Sequence, residues 1–440
     1  VTDRGLTRLL IACGIAGLAT ALGIRLFKLA IQAAEWLAFG WNAGSWMDAP
    51  PLLVLLVPIL GGAAVGLLLH FGRIPEEPGH GVEEVIESVT LGTEDFPKRR
   101  TPLKAGIAAI SLGAGASLGP EDPAVEIGGS IGEFIGERSG LGRDGIQTVV
   151  AASAAAGLSA AFYAPAAAVL FASEVFSIKF VSRTTLLVGL AAGVAFLVTT
   201  LLAPGPQPAL EGHPLGTLWA LPFAIGLGLL GGLVSATQIR LMYWLDKAFY
   251  DWRMPPRWLK PAIGGLVLGL AGLFLPELLG VGYGTLERVV AGDMGAWPLL
   301  LVLMVGKLVL MAVSFGSGFL GGFFAPTLFI GAMMGGAYGL GAAALFPALE
   351  LDPASFTLVG IAALLAGSVR APFAVALLIP ALTGSYSQVP LLLLAALVGA
   401  RTSRLIEADS LYTYGIAHPV DGAEPRSPTR RTDPQPDVRE

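Results

Sequence analysis

The stretch Gly119-Pro120-Glu121-Asp122-Pro123-Ala124-Val125-Glu126-Ile127-Gly128-Gly129 interrupts a chain that otherwise reads as buried in lipid or protein. Small-residue runs flank it at 113–118 and 130–136, so its carboxylates and two prolines stand out. Pro120 and Pro123 suit the first turn of a helix, where a missing N–H costs little, and they predict a helix from near Glu121 through Ile135. A helix N-terminus within a membrane offers unpaired N–H groups and a partial positive charge, a site for an anion. Glu121 can fill that site itself. A tethered carboxylate that competes with a free anion, and that can be displaced or protonated, makes a gate. The same residues also fit ordinary helix chemistry, since acids in a first turn favour the dipole.

Working outward, the composition is that of a membrane protein. Of 440 residues, 54% are hydrophobic and 13% charged, and the mean hydropathy is +0.72. A spanning helix needs roughly 20 mostly apolar residues, and apolar runs fill the chain from Leu6 to about Leu405, leaving no room for a large soluble domain. The fold class is therefore all-α and polytopic. The 59 glycines point to close helix packing and to broken helices that line a cavity. Cys13 is the single cysteine, so neither an intramolecular disulfide nor a cysteine-rich metal site is expected. The formal charge of −5 argues against a nucleic-acid partner. The first apolar segment, from Leu9 to about Phe39, carries Arg25, Lys28 and Glu35 and lacks a small-residue cleavage site, so it reads as a retained helix and not a signal peptide. Arg4 and Arg8 before it, and Arg426, Arg430 and Arg431 after the last apolar run, place both termini in the cytoplasm.

In chain order, apolar spans are expected at 52–71 and 186–202, helices at 102–116, 147–158, 161–179 (broken at Pro165) and 215–249, and apolar runs at 262–275 and 297–313. Gly79-His80-Gly81-Val82-Glu83-Glu84-Val85-Ile86 opens a helix too short and too acidic to cross, a candidate re-entrant element. Gly316-Ser317-Gly318-Phe319-Leu320-Gly321-Gly322-Phe323-Phe324-Ala325-Pro326 leads into an apolar helix reaching about Phe346, which mirrors the glycine-rich approach to Glu121. Apolar elements follow at 356–367, 371–382 and 390–405, then a short polar-aromatic one at 409–414. Matching breaks in 1–202 and 215–405 predict inverted-topology halves with a site at mid-membrane, inside one transport domain over 1–405. Residues 406–417 read as a short terminal pore helix, and 418–440 as a polar, disordered tail.

These residues resemble the CLC family of chloride channels and proton/chloride antiporters. Gly119-Pro120-Glu121-Asp122-Pro123 looks like that family's Gly-Arg/Lys-Glu-Gly-Pro motif, and Gly322-Phe323-Phe324-Ala325-Pro326 is similar to its Gly-x-Phe-x-Pro motif. Gly79-His80-Gly81-Val82 falls where its Gly-Ser-Gly-Ile-Pro motif stands, and Leu411-Tyr412-Thr413 looks like the segment that brings a pore tyrosine. Ala156-Gly157-Leu158-Ser159-Ala160-Ala161-Phe162 and Val369-Arg370-Ala371-Pro372 are supporting matches in the right order. The resemblance implies a homodimer in the lipid bilayer of a cell membrane, in a bacterium the inner one, with one anion pathway per subunit. Glu121 is then the gate. The anion contacts are the backbone at Phe323, Phe324 and Gly119, the helix start at Glu121, the Tyr412 hydroxyl and whatever stands at position 80. Neither cofactor nor metal is implied. Chloride is the expected anion, with nitrate or fluoride as the alternative, moving either through a voltage- or pH-dependent channel or in exchange for protons.

The sequence departs from the family pattern at four of these positions. His80 replaces a serine, Glu83 a proline, Pro120 a basic residue and Asp122 a glycine. Val175 falls where antiporters often carry a proton-relaying glutamate, and its neighbour Glu174 is the candidate substitute on a proton path. Glu126, Glu133 and Glu174 fit a relay or a structural pairing, while Arg370 and Lys307 read as packing and charge-balancing residues. A membrane-embedded enzyme is the remote alternative. It would need a Ser/His, paired-Asp or metal constellation, and His70, His80, His213 and His418 are scattered with no two at ligand spacing on one helix face.

Overall fold

A computed structural model describes residues 3–39, 46–72, 74, 81–91, 100–203, 220–293 and 295–418. Among them the secondary structure is helical, and the one β-type pairing is an isolated antiparallel bridge between Gly119 and Gly322. The first half comprises α1 (Asp3–Phe39), α2 (Pro51–Phe71), α3 (Val82–Ile86), α4 (Thr101–Gly113), α5 (Glu121–Arg138), α6 (Arg143–Phe162), α7 (Pro165–Val175) and α8 (Arg183–Leu202). The second comprises α9 (Ala220–Asp251), α10 (Lys260–Phe274), α11 (Tyr283–Val290), α12 (Trp297–Ser317), α13 (Phe324–Leu345), α14 (Ser355–Val369), α15 (Pro372–Thr383) and α16 (Val389–Ile406), and α17 (Tyr414–Ala417) follows. Nine of the described helices are long and apolar enough to cross a membrane. The 37 residues of α1 extend about 55 Å at 1.5 Å per residue, more than a hydrocarbon core of about 30 Å, so this helix must tilt.

The halves repeat one packing scheme. In the first, α5 packs on α6, α6 on α8, α1 on both α6 and α8, and α3 on α5; in the second, α13 packs on α14, α14 on α16, α9 on both, and α11 on α13. The repeat extends to backbone angles. Tyr163 ends α6 at φ 56, ψ 30 and Arg370 ends α14 at φ 61, ψ 32, a left-handed conformation rare for side chains of that size. Each is followed by an extended alanine, Ala164 or Ala371, and then by a proline that starts the next short helix, α7 or α15. A shared Ala-Pro after a residue in the same uncommon geometry, at matching places in the two halves, is the mark of a repeated unit.

Glycine permits the closest approaches within each half. A Cβ on Gly128 would stand 2.2 Å from the Ser153 carbonyl of α6, and one on Gly335 2.2 Å from the Phe356 carbonyl of α14. Helix axes this close bury the polar backbone of α5 and α13 against their neighbours, where lipid could not satisfy it.

Different elements meet at the two ends of the molecule. The last turns of α2 meet the start of α4 (Gly72 beside Leu103) and the loop before α10 (Gly66 beside Trp258), which gathers Arg100, Arg253 and Arg257 at one end. At the other end the Trp46 indole lies over Gly115 and Gly280.

Candidate anion site

The two glycine-rich approaches meet at mid-chain in each half. Gly119 N–H donates to the Gly322 carbonyl at 2.8 Å and Gly322 N–H to the Gly119 carbonyl at 2.6 Å, which fixes the starts of α5 and α13 against each other. Gly119, counted at the sequence level among the anion contacts, therefore commits its N–H to this joint. It also makes room, since a Cβ there would stand 2.2 Å from Glu121 Oε2.

Helix α5 begins at Glu121 as the prolines predict, after Pro120 at φ −83. The carboxylates at its first two positions are both buried, 1% exposed each, and they point to different partners. Glu121 Oε1 accepts a 2.5 Å hydrogen bond from the Tyr283 hydroxyl at the start of α11, while Oε2 has no hydrogen-bond partner among the described residues. Asp122 Oδ2 accepts from the Phe323 N–H at 2.8 Å, and Asp122 Oδ1 accepts from the Tyr412 hydroxyl at 3.0 Å. The sequence reading lets Glu121 fill the helix-start site; here Asp122 fills it, and Glu121 stands to one side. Phe324 is buried with its ring against Phe162 and Phe171.

Tyr412 lies in the turn just before α17, within the 406–417 stretch that the sequence reading expects to be a short pore helix. That turn is tied down from several directions. Leu411 N–H donates to the Ser368 carbonyl, the Tyr243 hydroxyl donates to the Leu411 carbonyl at 2.6 Å, and Arg370 donates to the carbonyls of Ala400, Glu407 and Asp409. Arg370 is thus the structural residue its position implied. Lys307 is another: fully buried, it donates to the Leu278 and Gly280 carbonyls, holding the turn that delivers Tyr283.

A cavity of about 180 Å³ opens beside Glu121 on the side of Tyr283, lined also by Lys28, Phe162, Tyr163 and Ile379. Lys28 Nζ donates to the Ala160 and Ala161 carbonyls at the end of α6 and is the ammonium nearest this vestibule's acid. On the opposite side of the site, Glu83 is buried with Oε1 2.9 Å from the Tyr243 hydroxyl, whose single proton it shares with the Leu411 carbonyl. Tyr243 lies toward the end of α9 that runs to the basic end of the molecule, and Tyr283 follows Gly280 at the Trp46 end. The order along the molecule is therefore vestibule, Glu121, Asp122 with Phe323 and Tyr412, then Glu83 with Tyr243.

The remaining candidates fall elsewhere. Glu174 caps α15, accepting from Phe373 N–H at 3.1 Å and Ala374 N–H at 2.8 Å, and its neighbour Val175 ends α7 half-buried. Lys104 bridges Glu84 and Glu126 at 2.7 and 3.0 Å in a separate buried ion cluster. His80 and residues 419–440 lie outside the described residues. Sequence reasoning passed over Tyr283 and Tyr243. The turn Gly280-Val281-Gly282-Tyr283-Gly284 was visible, but nothing local names a partner 162 residues away.

Known proteins match over nearly all of this length. The model of the voltage gated chloride channel family matches residues 61–404. The chain is 32% identical over 427 residues to a putative chloride channel protein ClcB-like of Ralstonia nicotianae, covering 94% of this chain and 97% of that protein. It is 32% identical over 422 residues to the voltage-gated ClC-type chloride channel ClcB of Escherichia coli, covering 93% and 99%. Among solved structures it is similar to a slow cyanobacterial Cl−/H+ antiporter, with a TM-score of 0.83, 27% identity, and 92% and 96% of the two chains covered. A CLC-type fluoride/proton antiporter shares the fold at 22% identity and a TM-score of 0.75, covering 94% and 98%.

Proposed function

The chain belongs to the voltage gated chloride channel family, and on that premise we propose that it carries chloride across a bacterial inner membrane, as a homodimer, along a path gated by Glu121. The observation that carries the reading is the convergence, in one buried place, of the acidic start of α5, the Phe323 N–H and the Tyr412 hydroxyl, which come from three distant parts of the chain; Asp122 meets the two donors and its neighbour Glu121 stands at the mouth, on Tyr283. Backbone N–H groups and a hydroxyl attract an anion without a full positive charge, so the ion is held loosely enough to leave. The basic end faces the cytoplasm. Chloride enters from outside through the vestibule beside Lys28, passes the Glu121 carboxylate and reaches the helix starts.

Glu121 gates because its charge has the sign of the cargo. Ionised, it repels or replaces chloride at the mouth of the inner position; protonated, it does neither. Proton exchange at a fixed ratio is not part of the proposal, because Val175 cannot titrate and Glu174 already serves two N–H groups of α15. Reconstituted protein, parent and Glu121→Gln, should release chloride from liposomes, with Glu121→Gln faster than parent at neutral pH and the two converging in acid. Equal rates at every pH would move the gate to another residue. An absence of chloride flux in both proteins would refute the transport reading.

A further inference from the structure

Asp122 stands where the family pattern has glycine, and its side chain makes the contacts assigned above to the anion. One oxygen takes the Phe323 N–H and the other the Tyr412 hydroxyl, at 2.8 and 3.0 Å. Both are needed to explain its position. A first-turn acid that only favoured its own helix dipole would have no reason to reach across to the start of α13. The surroundings are shaped for the reach. Gly322 lies directly under the carboxylate, and a Cβ there would stand 2.8 Å from both Asp122 Cβ and Cγ. Glu121 is meanwhile held on Tyr283, so it does not compete for the position in this conformation.

We propose that Asp122 is a second tethered anion: its carboxylate occupies the inner chloride position, and chloride binds there only when Asp122 swings away or takes up a proton. This rests on the chloride reading above and extends it from one acid to two in series. A chloride ion and an ionised carboxylate cannot share one N–H and one hydroxyl, because each would meet a like charge at contact distance with no cation between them. Among the described residues no basic side chain contacts Asp122. The groups that face it are the Tyr412 hydroxyl from the turn before α17, the Phe323 N–H of α13 and Glu121 beside it. Glu83 of α3 stands beyond, its carboxylate beside the Tyr243 hydroxyl. Protonation at Asp122 removes one negative charge from this row of acids and turns one oxygen from acceptor to donor, which frees a ligand for the ion. A proton-accepting group would then sit within the anion path itself, with no need of position 175.

The test is chloride binding by calorimetry on the full-length protein in detergent, from about pH 8 down to about pH 4, a range that spans carboxylate titration. The proteins are parent, Asp122→Gly, Asp122→Asn, Glu121→Gln and the double variant Glu121→Gln/Asp122→Gly. At about pH 8, Asp122→Gly should bind chloride at least about tenfold more tightly than parent. Parent and Glu121→Gln should both gain affinity as the pH falls, and the double variant should show no gain. Asp122→Asn keeps the shape and loses the charge, so it guards against misfolding of the glycine variant and should fall between parent and Asp122→Gly. If affinity and pH response are the same with and without Asp122 while chloride still binds, Asp122 is a permanent cap on α13 and the proposal is wrong, although the chloride reading stands. If none of the five proteins binds chloride at any pH, both fall together.

Discussion

Replacing Tyr283 by phenylalanine removes one hydroxyl and leaves the ring, so it isolates the contact that keeps Glu121 out of the path. The bond is short, 2.5 Å, and its acceptor is a carboxylate. Hydrogen bonds to charged groups are worth about 1.5–3 kcal/mol net. Tyr283 borders a cavity of about 180 Å³, which has room for water to replace the lost donor, so the lower figure applies. A loss of about 1.5 kcal/mol is about tenfold in an equilibrium, and it shifts ionised Glu121 by that factor off Tyr283 and toward the start of its own helix, α5, whose N–H groups attract it and where it narrows the path. Chloride efflux from liposomes, followed with a chloride electrode, should therefore drop several-fold in Tyr283→Phe at neutral pH. In acid, where Glu121 is neutral and indifferent to either position, the variant and parent should agree. Tyr283→Phe placed in a Glu121→Gln background should change nothing. Unaltered neutral-pH efflux in the single variant would refute this role of Tyr283, and so would a Tyr283 effect that persists without the glutamate charge.

Lys307→Met leaves the buried Gly280 carbonyl without its ammonium donor, at about 1–3 kcal/mol, and leaves the Leu278 carbonyl to the Ser117 hydroxyl alone. The melting temperature in detergent should fall, and the turn carrying Tyr283 should loosen enough to reproduce part of the Tyr283→Phe flux defect. Glu174→Gln can accept on only one oxygen, so one N–H of α15 loses its charged partner; stability should fall slightly, while pH-dependent chloride flux should match the parent, and a lost proton response would restore Glu174 to the proton path. Position 80 is tested directly by His80→Ser: an imidazole with an unperturbed pKa of about 6.5 that reaches the anion should strengthen chloride binding below that pH and alter the order of chloride, nitrate and fluoride. Identical affinities and order in the two proteins would exclude His80 from selection.

How much of this was legible in the sequence depended on the range of the interaction. Apolar length alone revealed the spanning helices, and Pro120 with Pro123 fixed the start of α5 because proline restricts its own backbone. The break expected at Pro165 is the start of α7, but α6 runs on to Phe162, past the Leu158 expected as its end, and the chain turns at Tyr163, whose left-handed conformation no local preference of tyrosine foretells. The terminal pore helix expected over 406–417 is helical only at its end, α17, and Tyr412 lies in a turn before it held by Tyr243, Ser368 and Arg370, all more than 30 residues away in sequence. Such ties are set by packing, so the residues near Tyr412 carry no trace of them.

The acidic pair itself shows where local reading stops and geometry takes over. Glu121 and Asp122 are neighbours in a first turn, and for helix-dipole chemistry they are interchangeable. Successive side chains on a helix diverge by about 100°, however, so two adjacent acids at a buried helix start cannot face the same partner. Once the Gly119–Gly322 bridge sets α5 against α13, one direction leads to the vestibule and Tyr283, and the other to Phe323 and Tyr412. A glycine at 122 would leave the second direction empty for an ion. The aspartate fills it with a charge of the ion's own sign, so one added carboxylate changes an open binding position into one that must be vacated before it can work.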